Sequence, residues 1–485
     1  MNISVDQNLK TPIYWQIVNQ LKLMILKGQI AYGATLPSER NLAQLLGVHR
    51  NTVVKAYNEL KAEELIQSLQ GVGYRVAYEM TKEEPQVTRK VNWSNIIKDE
   101  YLDLEKTFDD IFIRFNEQEN ISFSSGMAAP IYEEKDIATD LAEIINEEGK
   151  KPFFFTPYQG DNTLRQRIIS YLTTKGIKAG PSEVQIMSET NQALDFIVTA
   201  LIKDGDVVIT EEPVSPDVYR VIELAGGKVV TVPVDDDGMM CDNLSALIEI
   251  TKPKFIYVNS SYHDPTGNIL SFSRRKKLLA LSNQYRIPII EEDAASELSF
   301  DGEVLPTIKS MDKSGNVIYI YSFSLTFIPG LSMAFVVASP KLVKSLSYLV
   351  SIRLISLDWI TQKLLAKYIT DGTYYKKTNE MNTLYRDKRD LMCYYLDKME
   401  PLGITYKKPA GGVYIWCKLP KSLDSKTIVN AAYKQGISII PGEVFYPNKN
   451  GGREYIRLNY SYESLERISK GMEKLTQIII ELTKK

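Results

Sequence analysis

A small winged helix-turn-helix head followed by a large α/β body on a mostly parallel, doubly wound sheet is the fold class this sequence predicts. Three observations predict it. Residues 36–66, LPSERNLAQLLGVHRNTVVKAYNELKAEELI, hold two short amphipathic periods separated by a glycine. From about Asn120 onward, short apolar runs alternate with helical periods, as strands alternate with crossover helices. Between them lies the polar stretch EMTKEEPQVTRK (79–90), which has no apolar face and reads as a linker passing into a helix near Trp93 to Phe115. A chain of 485 residues has room for two or three such domains.

In the head, Ser38, Glu39 and Arg40 open a helix whose expected apolar face is Leu42, Leu45 and Leu46. Gly47 breaks it, and a second helix begins near His49 with Val53, Tyr57 and Leu60 turned inward. Two short helices joined by a glycine turn form a helix-turn-helix, whose second helix fits the major groove. The exposed start of that helix carries His49, Arg50, Asn51, Thr52 and Lys55, side chains that donate to base edges and phosphates. QGVGYRV (70–76) reads as a glycine-tipped hairpin, a wing able to lie along a nucleic-acid backbone. A small helical domain with solvated polar residues is the plainer alternative, but turn, register and polar face all agree on the first.

Composition bounds the function classes. Hydrophobic content of 44%, charged content of 24% and a net charge of −2 are ordinary for a globular protein and argue against wholesale nucleic-acid or membrane attraction. The charge is unevenly spread, however. Residues 1–78 carry 8 Lys and Arg against 5 Asp and Glu, a balance of +3 that leaves −5 for the remainder, so the head is the part suited to a polyanion. No apolar stretch reaches membrane-spanning length and the N-terminus lacks a signal-peptide core, so a cytoplasmic location is expected. The cysteines, Cys241, Cys393 and Cys417, are too scattered for a disulfide framework or a metal site. With His49 and His263 as the only histidines, a histidine-rich metal site or a Ser-His-Asp triad fits poorly.

In the body the expected strands are 207–210, 228–234, 254–260, 287–292, 317–324 and 334–339, with helical periods at 191–203 and 273–285. The stretch YIYSFSLTFIPGLSMAF (319–335) reads as strand, loop, strand. Its loop crowds Ser322, Ser324 and Thr326 around Leu325 before a Pro329-Gly330 turn, and clustered hydroxyls at a strand end suit an anionic ligand.

Residues 11–78 resemble the winged-helix domain of GntR-type transcriptional regulators, which share a similar LPSER and a polar recognition stretch. That resemblance implies DNA contacts from Arg40, Arg50, Thr52, Lys55 and the turn at Gly71, with His49 where serine is commoner. In the body, FTPYQGDNTLRQRI (155–168), YHDPTGN (262–268), IIEEDAASELSFDG (289–302) and YIRLNYS (455–461) together resemble a pyridoxal-phosphate aminotransferase of fold type I. The whole chain therefore resembles the MocR subfamily, in which a GntR head is joined to such a body, and the likeness spans nearly everything except 79–118.

Against that family's pattern the chain departs repeatedly. Its loop reads SFSLT where the family reads SFSKT, so Leu325 stands where a lysine forms a Schiff base with pyridoxal phosphate. Ser332 replaces the phosphate-binding arginine, Ala295 and Asp264 replace the tyrosine and asparagine that bond the ring oxygen, and Phe155 replaces a phosphate-touching tyrosine. Glu292 takes the place of the aspartate on the pyridine nitrogen. The phosphate loop reads Ser188-Glu189-Thr190-Asn191, with Glu189 in the glycine position. Ser322 persists as a phosphate partner and Arg457 matches the arginine that grips a substrate carboxylate. Read alone, Asp264-Pro265-Thr266-Gly267 suits an ordinary turn, Glu292 a solvated carboxylate and Arg457 a structural ion pair.

The expectation is thus a winged-helix head over 1–78, a linker over 79–118 and an aminotransferase-like body over 119–485. The body should dimerise, hold no covalent pyridoxal phosphate, catalyse nothing, bind no metal and serve as a sensing module, with a small carboxylate on Arg457 as candidate effector. The pocket residues would be Phe155, Thr190, Asn191, Asp264, Glu292, Ala295, Ser322, Ser324, Leu325, Ser332 and Arg457. The head would bind double-stranded operator DNA through Arg40, His49, Arg50, Asn51, Thr52, Lys55 and Gly71. Two rivals stand beside this: a body that keeps pyridoxal phosphate, as an active aminotransferase fused to a DNA-binding head or as a cofactor-sensing regulator, and a ligand-free architectural dimer.

Overall fold

The computed structural model describes residues 3–7, 9, 11–69, 73–79, 91–93, 96–98, 101, 120–301, 304–448 and 450–484. The chain divides into two compact units, Met1–Thr107 and Phe108–Lys485. Gly71 and most of the expected linker and its helix lie outside the described residues.

The first unit contains α1 (Ile13–Leu26), α2 (Glu39–Leu46), α3 (Arg50–Ala62) and an antiparallel pair, β1 (Ile66–Leu69) and β2 (Gly73–Val76), with Ile66 opposite Val76. Ser38 caps α2 by accepting from the Asn41 N–H at 3.3 Å, and Gly47 ends it in the left-handed region at φ +64°, a conformation that favours glycine. Ile17, Leu21, Leu42, Val53, Tyr57 and Leu60 form a buried core. Leu45 departs from the expected face and is 75% exposed. The short helix α2 centres its buried seam on Leu42 and Ala43, which leaves Leu45 off the edge.

The second unit opens with β3 (Ile121–Ser122), which pairs in parallel with Ile437–Ser438 outside the main sheet. The main sheet has eight strands in the order β4-β11-β10-β9-β8-β5-β6-β7. They are β4 (Val184–Met187), β5 (Val207–Glu212), β6 (Lys228–Asp235), β7 (Gly238–Met239), β8 (Phe255–Asn259), β9 (Ile289–Glu292), β10 (Val317–Ser322) and β11 (Ala334–Val337). β10, β9, β8, β5 and β6 run parallel in that order, whereas β11 runs antiparallel to both β10 and β4. Near-continuous apolar runs suit these strands because helices cover both faces of such a sheet.

Register decides where chemistry collects. Ser322 at the end of β10 faces Ala334 at the start of β11, and Ala334 faces Met187 at the end of β4. Glu292 closing β9 is opposite Asn259 closing β8. The ends of β4, β8, β9 and β10 therefore open at one edge, the carboxyl edge at which doubly wound sheets bind ligands. A four-stranded sheet of Thr405–Tyr406, Tyr414–Lys418, Tyr455–Asn459 and Ile440–Pro441 forms a second part with the long helix Thr373–Met399 and the helix Leu465–Thr483. Among the described residues no helix is long and apolar enough to cross a membrane.

Candidate functional site

On the head, Arg40, His49, Arg50, Asn51 and Lys55 are exposed and Thr52 is half-buried, so the start of α3 presents a polar face. His49 is the N-cap: its Nδ1 accepts from the Asn51 N–H at 3.3 Å, the role a serine hydroxyl fills at such positions. Arg50 does not wave freely. Its Nε and Nη2 donate to Glu39 Oε2 at 3.1 and 2.7 Å, and Tyr74 on β2 donates to Glu39 Oε1 at 3.0 Å. The hydrogen bond from Arg50 holds the Glu39 carboxyl below its ordinary range. Lys55 sits with Nζ 4.4 Å from the centroid of the Tyr14 ring.

At the sheet edge of the body, one carboxylate gathers the hydroxyls. Glu189 caps the helix Thr190–Leu201, its Oε2 accepting from the Thr190 N–H at 2.7 Å. The same oxygen accepts from Ser322 Oγ at 3.1 Å, and Ser332 Oγ donates to Oε1. Ser324 supports Ser322, with the two hydroxyl oxygens 3.0 Å apart and the Ser324 N–H donating to Ser322 Oγ at 3.1 Å. Asn191, in the first turn of the same helix, is exposed.

Leu325 projects into apolar surroundings instead. It is 7% exposed and shares a buried cluster with Ala295 and Tyr262. Neighbouring acids are crowded. Burial pushes Glu292 up to about 7, with the negative charges of Asp264, Asp217 and Glu189 adding to the rise against a hydrogen bond from Tyr257. Glu211, 1% exposed, is pushed up to about 8 by burial, and it accepts from the Asn259 N–H at 2.7 Å. Beside it the imidazole of His263, with Nε2 3.5 Å from Glu211 Oε2, is held by burial down to about 3 and so stays neutral.

Arg457 on the Tyr455–Asn459 strand already has an internal carboxylate. Its Nη1 donates to Asp264 Oδ1 at 2.7 Å, its Nη2 to the Ser124 carbonyl at 3.0 Å, and its guanidinium lies 4.2 Å from the Tyr414 ring centroid. Burial nevertheless raises the Asp264 carboxyl above its ordinary value despite that arginine. A cleft of about 1450 Å³ opens on this side, lined by Ser124, Asp217, Asp264, Lys388, Tyr414 and Arg457 among others, but not by Glu189, Ser322, Leu325 or Ser332.

The edge thus assembles Thr190, Glu292, Ala295, Ser322, Ser324, Leu325 and Ser332, with Asp264 and Arg457 on the cleft side. Phe155 is not gathered with them within this chain: it is 75% exposed, beside Phe153 at 85% and Phe154 at 73%. Glu211, Asp217 and Tyr257 are not singled out by the sequence, although a buried strand ending in two glutamates (VVITEE) is a signal for the first.

Comparison with known proteins finds a family match within each unit. Residues 13–76 match the bacterial regulatory proteins of the gntR family, and residues 123–475 match aminotransferase class I and II. The HTH-type transcriptional regulator YdfD of Bacillus subtilis is 30% identical over 98% of this chain and 97% of its own length. The probable rhizopine catabolism regulatory protein MocR of Rhizobium meliloti is 26% identical over 90% of this chain and 88% of its own. Among solved structures, the α-aminoadipate aminotransferase LysN from Thermus thermophilus, complexed with N-(5'-phosphopyridoxyl)-L-leucine, superposes with a TM-score of 0.74 at 27% identity, over 81% of this chain and 99% of that one.

Proposed function

We propose that this transcriptional regulator, a chain that belongs to the aminotransferase class I and II family and carries a gntR-family DNA-binding head, has lost the covalent chemistry of its body. The observation that carries the reading is Leu325. At the position where the family resemblance expects a Schiff-base lysine, a hydrocarbon side chain lies buried with Ala295 in an apolar cluster and has no amine to condense with an aldehyde.

The surrounding residues do not fit pyridoxal phosphate either. The hydroxyls of Ser322 and Ser332 and the N–H of Thr190 are taken by Glu189, and no arginine stands at Ser332. Each charge-assisted hydrogen bond contributes roughly 1.5–3 kcal/mol, so losing the arginine and one further contact weakens cofactor binding by about 3–6 kcal/mol, or roughly two to four decades. Glu189 adds repulsion toward a dianionic phosphate, whereas the charge of Asp264 is offset by Arg457.

What remains is a scaffold for the head. Arg50, Asn51 and Thr52 at the start of α3, with Arg40 at the start of α2, present donors, the arrangement by which a helix-turn-helix reads base edges and phosphates. The body is proposed to pair with a second copy, supported by the exposed Phe153, Phe154 and Phe155, since a contiguous apolar run at such exposure suits burial against a partner. Two tethered heads on symmetric half-sites raise effective affinity. A carboxylate effector on Arg457 would first have to displace Asp264, so the cleft beside that pair is the more open place for a ligand. An aminotransferase assay on the purified full chain supplied with pyridoxal phosphate and an amino-acid panel tests the proposal. No turnover is expected, and amino-acid-dependent turnover would overturn it.

A further inference from the structure

We propose that the cup formed by Thr190, Ser322 and Ser332 is an oxyanion site whose resident ligand is the chain's own Glu189. The inference rests on the reading that the body has lost its cofactor chemistry, and it assigns what took the place of the anion. Three donors from separate elements converge on a single carboxylate: a main-chain N–H at the start of a twelve-residue helix, a hydroxyl from the end of β10 and a hydroxyl just before β11. This is the donor set that holds phosphate or carboxylate at helix N-termini and strand edges. An ordinary helix cap would account for the Thr190 contact alone. It would not bring in Ser322 and Ser332, which lie 133 and 143 residues away in the chain.

The charge of the cup fits its occupant. All three donors are neutral, which suits a single carboxylate, whereas a phosphate monoester dianion is held well where a cation joins the donors. Because Glu189 is tethered to the helix it caps, it acts at a high effective concentration, and an external oxyanion must displace it. One side chain therefore ties the end of β4, the end of β10 and the start of β11 together, as a bound phosphate would, and the body is ordered there without a small molecule.

The test is thermal unfolding of the full chain in increasing inorganic phosphate, with ionic strength matched by potassium chloride, for the wild type, Glu189→Ser and Glu189→Gln. The wild-type midpoint should move no further in phosphate than in chloride. Glu189→Ser should show a saturable rise, corresponding to phosphate binding at least about tenfold tighter than in the wild type, and adding Ser332→Ala should abolish it. Glu189→Gln keeps the bulk and a cap acceptor without the charge and should lie between, so it decides the matter if Glu189→Ser does not fold. Folded variants that gain no phosphate response, or a wild type that responds as strongly as they do, would overturn the inference. A borohydride-fixed adduct with pyridoxal phosphate on the wild type would instead sink the underlying reading, so the two failures are distinguishable.

Discussion

Raising the pH from 6.5 to 8 probes two raised carboxyl groups of the body, the buried Glu211 and the half-buried Glu292. Burial pushes Glu211 up to about 8 and Glu292 up to about 7, against an ordinary value of 4.5 in the unfolded chain. Between the unfolded and folded values the native protein keeps a proton that the unfolded chain has released. Each group's contribution is therefore fully present below 4.5 and is lost as pH climbs through its folded value. His263, held down to about 3 against an ordinary 6.5, works in the opposite sense, and the second half of its unfolded-state titration adds a small gain at the lower end of the window. Lys388, pulled by burial from 10.5 to about 8, also works in the opposite sense, and the first half of its titration adds a small gain at the upper end of the window. Glu211 keeps its extra proton over most of the window and Glu292 over its lower third. At about 1.4 kcal/mol per pKa unit, and with all four titrations taken as gradual, the carboxyl losses outweigh the two smaller gains and stability should fall by about 2 kcal/mol, most of it through Glu211. Urea unfolding of the full chain at several pH values reads this directly. Glu211→Gln, which keeps an acceptor for the Asn259 N–H, should remove most of the loss. A variant that loses as much as the wild type, or a wild type that gains stability across the window, would refute the reasoning.

Three further outcomes are expected. Arg50→Ala should weaken binding to a specific operator by about 1–3 kcal/mol in a gel-shift titration, and an unchanged affinity would remove Arg50 from the readout surface. His49→Ala should cost about 1 kcal/mol of head stability in denaturant unfolding while His49→Ser should cost little, because the structural duty of His49 is to accept the Asn51 N–H. Replacing Phe153, Phe154 and Phe155 by serine should shift sedimentation toward a monomer without lowering the unfolding midpoint of each subunit, since these rings are exposed in the single chain.

The sequence carries the parts of this structure that are local. The glycine turn at Gly47, the inward Val53, Tyr57 and Leu60, and the strand–loop–strand around Leu325 all follow from periodicity and turn chemistry over a few residues. Strand β4 does not, because four residues between a short helical turn and a loop leave too little periodicity to notice. Leu45 falls outside the expected face because an eight-residue helix can rotate its seam by one position without breaking its pattern. The site is legible as a set of substituted positions but not as a set of contacts. Along the chain Glu189 reads as a source of repulsion toward an incoming phosphate, and only three-dimensional placement reveals that it turns back onto Ser322 and Ser332. The Arg457–Asp264 pair joins residues 193 apart, and a pattern read along the chain weighs such a partner no more than any other acid.

The central claim is that the body has no amine poised for pyridoxal phosphate, and titration of the full-length protein with that compound tests it most directly. Absorbance spectra, borohydride reduction and intact mass would be read on the same sample. The account predicts no aldimine band and an unchanged mass after reduction. A stoichiometric reduced adduct would contradict it, because another lysine would then have assumed the role that Leu325 cannot fill.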